Sequence, residues 1–251
     1  MTTINQSIQS QFGNVTENYR HSEVHAQGAD LQRMVELVQQ GRYNHAIDLG
    51  CGAGHVALNV APHVADMIAY DLTPQMLEQV ELQARERGLS NLITRQGDAS
   101  SLPFEDSTFD VVLSRYSAHH WQRPQTAVHE VLRVLKTGGV FILSDIVAPD
   151  APLQDTFLQT IEYLRDTSHV RDYRISEWTT WFQAAGLTVI VDREWMLPIE
   201  FDQWVQRIAT PQSHITLLRK LFLEAATEIR ETFALSETHF QISGALMVGT
   251  K

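Results

Sequence analysis

The sequence predicts an α/β fold, in which helices cover a doubly wound, mostly parallel sheet and further helices form a cap. Three observations indicate it. Short apolar strands alternate with amphipathic helices through the first half of the chain, glycines crowd the turn after the first strand, and acidic residues stand at the ends of the next strands. Parallel strands need helical crossovers, and ligands bind at their carboxyl ends.

Composition indicates a globular protein without covalent cross-links. The chain has 251 residues, of which 43% are hydrophobic and 20% charged, and a chain of this size can bury a substantial core. Cys51 is the only cysteine, so no intramolecular disulfide or cysteine cluster can form, and we expect no metal. This cysteine usage fits the cytoplasm. No apolar stretch has the length of a membrane-spanning helix or a signal core, so we expect neither.

The charge balance argues against nucleic acid as a partner. The chain carries 30 acidic and 19 basic residues, for a net charge of −11. A nucleic-acid backbone would be repelled by such a protein, and no run of basic residues interleaved with aromatic ones is present. We therefore expect a small molecule as the ligand.

The segment Ala46–Gly54 predicts the ligand site. An apolar strand ends there, and glycines at 50, 52 and 54 form a turn before a helix over residues 55–63. Glycines let the backbone approach a ligand closely, and the helix start offers free N–H groups. His55 stands where a dinucleotide fingerprint has its third glycine. Asp48 would repel a pyrophosphate and attract a cation, so a cationic ligand is favoured.

The remaining elements of the first half follow in alternation. Residues predicted as helices are 30–39, 76–88 and 126–136, and those predicted as strands are 67–70, 92–96, 109–114 and 140–143. Thr73 and Pro74 are typical of a helix start, in which Thr73 would cap the helix. Gly88 is typical of a helix end. We interpret residues 46–148 as the ligand-binding core of a single domain over residues 1–251.

The second half departs from alternation. It has a helix around Ile161, a helix that Ser176 would cap and Gly186 would end, and a strand over 187–195. Helices over 201–208 and 215–233 precede a final strand over 240–248. We interpret residues 149–239 as a helical cap containing one strand of the sheet. Residues 1–29 form an amino-terminal arm, which either lies on the surface or closes the site as a lid.

Three motifs carry a family resemblance. The segment Asp48-Leu-Gly-Cys-Gly-Ala-Gly54 resembles the first motif of the class I S-adenosylmethionine-dependent methyltransferases. Gly97-Asp98-Ala99 resembles their third element, and Leu132-Arg-Val-Leu-Lys-Thr-Gly-Gly139 matches their turn before strand five. The resemblance implies a Rossmann-like, seven-stranded sheet of order 3-2-1-4-5-7-6 whose last strand is antiparallel. The implied cofactor, S-adenosylmethionine, carries a sulfonium and an ammonium, which suit Asp48.

The resemblance also implies cofactor-binding residues. Asp71 lies 21 positions after Gly50, a distance at which a carboxylate binds ribose hydroxyls; alternatively it only caps the strand end. Asp98 would accept from the adenine amino group, or else only shape its turn. The complete predicted set comprises Asp48, Gly50, Cys51, Gly52, Gly54, Asp71, Leu72, Asp98, Ala99, Ser114, Arg115 and, in the arm, Tyr19.

Polar and aromatic residues are dense in Arg115-Tyr-Ser-Ala-His-His-Trp121, after strand four. The tandem His119-His120 resembles the His-His of the quinone C-methyltransferase branch. We expect one of the pair to contact the methyl acceptor and, where a base is needed, to serve as one, with Tyr116 and then His25 and Tyr19 as further candidates. The alternative is that one histidine packs and the other faces solvent.

The function that follows is methyl transfer by direct displacement to a small, apolar or aromatic acceptor. Four tryptophans of the second half either pack the cap or line an acceptor pocket: Trp178, Trp181, Trp195 and Trp204. A regulatory protein that binds S-adenosylmethionine without catalysis is the alternative. A nicotinamide-dependent oxidoreductase is disfavoured by the broken glycine fingerprint. A homodimer is compatible with the sequence, which does not specify the oligomeric state.

Overall fold

The computed structural model describes residues 3–13 and 28–251. The helices are α1 Ile4–Gly13, α2 Ala29–Gly41, α3 His55–Val60, α4 Pro74–Glu86, α5 Pro124–Val134, α6 Pro152–Arg165, α7 Ile175–Ala185, α8 Phe201–Arg207, α9 Gln212–Glu224 and α10 Thr227–Phe233. The strands are β1 His45–Leu49, β2 Asp66–Asp71, β3 Leu92–Gln96, β4 Phe109–Arg115, β5 Leu135–Ile146, β6 Thr188–Glu200 and β7 His239–Thr250. Short 3₁₀ turns cover Ala61–His63 and Ala118–His120.

The strands form one seven-stranded sheet of order β3-β2-β1-β4-β5-β7-β6 among the described residues. Strands β1 to β5 pair in parallel, and β7 runs antiparallel to both β5 and β6. This confirms the predicted order and the predicted antiparallel last strand. The carboxyl ends of β1, β2 and β4 therefore meet at one edge, which is where ligands bind in open α/β sheets.

Apolar side chains hold helices on both faces of the sheet. Helices α2, α3 and α4 bury residues such as Met34, Ala57 and Val80 against one face. Helices α5 and α7 bury Val131 and Phe182 against the other. The helices α6, α8, α9 and α10 pack with the ends of β5, β6 and β7 in a third apolar cluster. The third cluster forms the helical cap beside the carboxyl edge.

Of two predicted helix starts, the one at Thr73 and Pro74 is confirmed in position and the one at Ser176 is wrong. Thr73 precedes α4, but its side chain makes no capping hydrogen bond; its backbone N–H donates to Asp71 Oδ1 at 2.8 Å. Ser176 lies inside α7, whose amino-terminal cap is Arg174. The Arg174 backbone N–H donates to Glu177 Oε2 at 2.9 Å, so Glu177 at the third helical position serves this helix start.

Sheet pairing also moves several boundaries. Strand β5 begins at Leu135 rather than at residue 140, because Leu135 pairs with Phe109 of β4. Strand β6 continues to Glu200, since β7 pairs with it over its whole length. The helix predicted over 215–233 is two helices, α9 and α10, with an extended Ala225 ending the first. Within residues 3–13 and 28–251, no helix is long and apolar enough to cross a membrane.

Candidate active site

Two cavities adjoin at the carboxyl edge of the sheet. We call the first the strand-end chamber: it lies over the glycine turn and is lined by residues that follow β1, β2, β3 and β4. We call the second the cap chamber: it lies between the turn after β4, helix α6 and strands β6 and β7. Phe12, Tyr116 and His120 line both chambers. The two chambers therefore share this part of their walls.

The glycine turn is held open toward the strand-end chamber by positive φ angles. They are 67° at Gly50, 50° at Gly52 and 85° at Gly54, in the region that glycine adopts without a steric penalty. A Cβ at Gly50 would lie 1.7 Å from Ser117 Oγ, whereas one at Gly52 would meet nothing within 4 Å. Gly52 thus leaves room for a ligand. A Cβ at Gly54 would meet Val80 at 2.7 Å, so Gly54 serves helix packing, and it does not line the chamber.

Asp48 lines this chamber beneath the turn. Its Oδ2 accepts from the Ala57 N–H at 3.2 Å, while its buried Oδ1 has no hydrogen-bond partner among the described residues. Burial raises the pKa of Asp48 to about 7. An unpartnered buried carboxylate oxygen costs free energy, and a positively charged ligand would offset that cost.

Asp71 and Asp98 also line the strand-end chamber. The two Asp71 oxygens accept from the N–H groups of Gly52 at 2.9 Å and Thr73 at 2.8 Å, which ties the end of β2 to the glycine turn. Asp98 accepts from Ser100 and from Asn5 Nδ2 at 3.0 Å. Burial opposes ionisation of Asp98, but these hydrogen bonds outweigh it and lower its pKa. The chamber therefore presents three carboxyl groups, which suits a cationic ligand with several N–H and O–H donors.

The side chains of Ser114 and Arg115 differ in their access to this chamber. Ser114 is fully buried, donates to the Leu49 carbonyl at 2.9 Å and does not line the chamber. Arg115 lines it and is clamped by Asp30, whose two oxygens accept from Nε at 2.5 Å and Nη2 at 2.9 Å. Of the other predicted residues, Cys51, Leu72 and Ala99 line the chamber.

Helix α1 closes one side of the strand-end chamber. Asn5 bonds Asp98, and Gln9 Nε2 donates to the Leu72 carbonyl at 2.9 Å. Phe12 stands edge-on to the His120 ring, with centroids 5.0 Å apart. The arm's first helix thus lies over the site, and Asn5 was not foreseen from the sequence; its spacing of four from Gln9 is a helical signal that could have indicated it. The predicted candidates Tyr19 and His25 lie outside the described residues.

The cap chamber combines an apolar wall with buried charges. Its apolar residues are Ile146, Leu197, Ile199, Trp204 and Ile242, and its charged or titratable residues are His119, His120, Glu162, Arg165, Asp172 and Arg207. Of the four tryptophans considered, Trp204 alone lines it. Trp178 is buried with Tyr173 and Trp181 instead, and Trp195 packs under Gly244.

The tandem histidines lie in a 3₁₀ turn, and their rings are 4.4 Å apart. His119 Nδ1 is 2.7 Å from Asp145 Oδ1. Burial disfavours the imidazolium, yet Asp145 outweighs it and raises the pKa of His119 to about 9. His119 is therefore positively charged near neutral pH, and it is a hydrogen-bond donor rather than a base.

His120 has the opposite character. Its Nδ1 lies 3.1 Å from the Ser168 carbonyl, which can only accept, so Nδ1 carries the proton and Nε2 keeps its lone pair. Burial and the neighbouring His119 charge lower the pKa of His120 to about 4. Adjacent residues in one turn thus present a donor and a neutral acceptor, a division that the sequence alone could not reveal.

Tyr116 stands at the wall shared by the chambers. Its φ of 50° is unusual for a residue other than glycine, and such strain occurs where the surrounding structure fixes a functional side chain. Its ring lies 4.6 Å from the Arg115 guanidinium carbon. Burial raises the pKa of Tyr116, so its hydroxyl stays protonated at neutral pH.

The structure adds buried acidic residues that sequence reasoning missed, namely Asp30, Asp145, Glu162 and Asp172. Asp30 and Asp145 lie far in sequence from their partners Arg115 and His119, and none of the four stands in a recognisable motif. Within residues 3–13 and 28–251, no three His, Cys, Asp or Glu side chains are arranged to hold a metal ion.

The sequence is similar to those of known methyltransferases. A family model described as a methyltransferase domain matches residues 47–143. The chain is 45% identical to an uncharacterised protein, YafE of Escherichia coli K12, over 79% of this chain and 96% of that one. It is 39% identical to an uncharacterised methyltransferase, YcgJ of Bacillus subtilis, over 90% of this chain and 89% of that one.

The crystal structure of YcgJ superposes on 88% of this chain and 97% of its own, with a TM-score of 0.86 and 38% sequence identity. The core also resembles UbiE of Zymomonas mobilis, a ubiquinone/menaquinone biosynthesis C-methyltransferase, at 33% identity over 43% of this chain and 44% of UbiE. The likeness to UbiE covers less than half of either chain, while the likeness to YcgJ includes most of the cap.

Proposed function

Because this chain belongs to the class I S-adenosylmethionine-dependent methyltransferases, we propose that it methylates a small, apolar or aromatic molecule held in the cap chamber. Methyl transfer with S-adenosylmethionine follows from the family, which favours an enzyme over a regulatory binding protein. The nature of the acceptor and the roles of individual residues are the proposed part.

The observation that carries the proposal is the pair of adjoining chambers that share Phe12, Tyr116 and His120. Direct displacement needs the cofactor and the acceptor to face each other, and alignment of two reactants accounts for much of the barrier reduction in such reactions. The strand-end chamber provides carboxyl groups for a cation, and the cap chamber provides an apolar wall.

The residues of the strand-end chamber fit S-adenosylmethionine. Asp48, with its unpartnered Oδ1, would face the positive charges of the cofactor. Asp71 would accept from the ribose hydroxyls and Asp98 from the adenine amino group, while Gly52 leaves room for the backbone to approach. The cofactor supplies an electrophilic methyl group on sulfur, and these side chains bind and orient it.

The cap chamber would bind the acceptor and exclude water. In the proposed roles, His119 donates a hydrogen bond as an imidazolium and His120 Nε2 accepts one. The Tyr116 hydroxyl, which stays protonated, would donate at the shared wall. A pKa of about 4 makes His120 a weak base, and His119 is already protonated, so the pair positions and polarises an acceptor rather than removing a proton near pH 7.

Calorimetric titration with S-adenosylmethionine, S-adenosylhomocysteine and NADH tests the cofactor assignment. We expect the first two to bind and NADH not to bind. Asp71→Ala should weaken S-adenosylhomocysteine binding about 100-fold, since it removes charge-assisted hydrogen bonds worth about 1.5–3 kcal/mol each. Asp66→Ala, at the exposed beginning of β2, is the matched control and should bind as the wild type does. Binding of NADH alone, or an unaffected Asp71→Ala, would contradict the assignment.

Two further expectations from the sequence stay predictions: a cytoplasmic location and a homodimer. Sedimentation of the purified protein measures the oligomeric state directly.

A further inference from the structure

One wall of the cap chamber contains a carboxyl group, one of whose oxygens lacks a hydrogen-bond partner among the described residues. Asp172 follows α6, is 2% exposed and lines the chamber. Its Oδ2 is buried and has no hydrogen-bond partner among the described residues. The nearest titratable neighbour of that oxygen that the structure records is His169 Nε2, at 3.8 Å, which is beyond hydrogen-bond distance; burial lowers the pKa of His169 to about 2, so this ring is neutral. Such an atom, in a residue that lines a cavity, requires an explanation, because leaving it unpaired costs free energy.

The other charged groups around Asp172 are matched with each other. Glu162 pairs with Arg165 at 3.5 Å, and His119 pairs with Asp145 at 2.7 Å. Arg171 donates to Asp155 at 2.6 Å. Burial, followed by the charge of Glu162, raises the pKa of Asp172 well above its usual range, so the protonated acid is favoured. A carboxylic acid both donates and accepts hydrogen bonds.

The opposite side of the chamber is apolar. Leu197 and Ile199 of β6, Ile242 of β7 and Trp204 of α8 line it. A ligand that fits these walls has an apolar body on this side and a polar group on the side of Asp172 and the two histidines. Beside Asp172, an ammonium group would need an ionised carboxylate, which burial disfavours. A ligand carboxylate would be buried next to the charge of Glu162, while the positive charge of His119 is already matched by Asp145. A neutral hydroxyl can pair with a carboxylic acid in both directions.

We propose that Asp172 is a specificity-determining residue of the acceptor site and that it selects an apolar acceptor carrying a neutral hydroxyl group. The proposal rests on the proposed function, since it takes the cap chamber as the place where the acceptor binds. It adds the chemical class of the acceptor and the residue that recognises it.

Binding of three small probes to the full chain tests the selection. The probes are 4-(trifluoromethyl)benzyl alcohol, 4-(trifluoromethyl)benzylamine and 4-methylbenzotrifluoride, which share a body and differ in the polar group. Their binding in the presence of S-adenosylhomocysteine is followed by ¹⁹F NMR. The alcohol should bind about tenfold more tightly than the methyl compound, the difference that one hydrogen bond makes. Equal binding of the three, tighter binding of the amine, or no binding of any probe would overturn the proposal.

Variants test whether Asp172 is responsible for the preference for the alcohol. Asp172→Leu should reduce the preference for the alcohol to about twofold or less, because no hydrogen bond replaces the lost one. Asp172→Asn should keep most of it, since an amide also donates and accepts. Asp150→Leu makes the same type of change at an exposed position and should leave it unaltered. Leu197→Trp fills the chamber and should abolish binding of all three probes; persistent binding would place them elsewhere and contradict the proposal.

The comparison of probes on the wild-type protein stands even if Asp172→Leu fails to fold. S-adenosylhomocysteine binding is measured first by calorimetry in every variant. If S-adenosylhomocysteine binds normally to the wild-type protein while the alcohol is not preferred, the proposed selection by Asp172 is wrong. The methyltransferase assignment is then unaffected. If it does not bind to the wild-type protein, the proposed function fails, and the acceptor proposal fails with it.

Discussion

The two chambers are built in different ways. The strand-end chamber takes its shape from consecutive residues: the turn from Gly50 to Gly54 follows β1, and Asp71 stands at the end of β2. The cap chamber is assembled from groups distant in the chain, as in the contact of His119 with Asp145, 26 residues away. Its wall combines residues of α6, α8, β6 and β7.

This difference indicates which of the two chambers can change its ligand specificity. A backbone turn depends on φ angles that a few glycines supply, so a short motif fixes the cofactor site. Buried charges in the cap chamber depend on one another, because each needs a partner to offset its desolvation. The strand-end chamber is thus suited to a ligand that stays the same, the cofactor. The cap chamber can be adapted to a new acceptor by exchange of a few side chains.

Breaking the turn should have the largest effect. Gly50→Ala places a Cβ 1.7 Å from Ser117 Oγ at a φ of 67°. The turn must move, and we expect S-adenosylhomocysteine affinity to fall at least about a thousandfold, or about 4 kcal/mol. Gly88→Ala is the matched control, since Gly88 has the same φ of 67° but a Cβ there would meet nothing within 4 Å. It should cost about 1 kcal/mol of stability and leave calorimetric binding unchanged. Similar affinities for the two variants would show that the turn tolerates a side chain.

Removing one buried charge of the cap chamber should have the next largest effect. Asp145→Asn leaves His119 without its partner, so the pKa of His119 should fall from about 9, as histidine NMR titration measures. A raised histidine pKa stabilises the folded state fully below the unfolded value near 6.5, and this contribution is lost as pH rises through 9. At pH 6 the variant should therefore unfold about 3 kcal/mol more easily in urea, and the deficit should shrink by pH 9.

The control for this charge is an exposed pair. His45 Nδ1 lies 2.9 Å from Asp66 Oδ2, with both side chains largely exposed. Asp66→Asn should change the free energy of unfolding by less than about 1 kcal/mol at either pH. A deficit for Asp145→Asn that stayed the same from pH 6 to pH 9 would argue against a charged His119.

Ser114→Ala should have the smallest effect. It tests whether Ser114 contacts the cofactor or only stabilises the sheet. Ser114 donates to the Leu49 carbonyl and does not line the strand-end chamber. We expect a loss of about 1 kcal/mol of stability, measured by urea unfolding, and an unchanged affinity for S-adenosylhomocysteine. A clear loss of affinity would instead support the cofactor contact that the sequence predicted for Ser114.

The sequence by itself determined the glycine turn and the acidic residues of the strand-end chamber, while the sheet order followed from its resemblance to the methyltransferases. The glycine turn, Asp71 and Asp98 stand at strand ends, and a strand end in a parallel sheet has one position relative to its neighbours, so local patterns were sufficient. Element boundaries such as the start of β5 at Leu135 were missed because pairing with Phe109 extends the strand beyond its apolar run.

The tertiary structure alone decided which buried charges meet at the two chambers. Asp30 reaches Arg115 across 85 positions in the chain, and Asp172 joins the wall of a chamber whose other side comes from β6 and β7. Neither aspartate stands in a motif, because a buried charge is specified by the partner that folding brings to it. The opposite protonation of His119 and His120 has the same origin: Asp145 lies beside Nδ1 of the first, whereas a carbonyl lies beside Nδ1 of the second, and burial and the His119 charge keep His120 neutral.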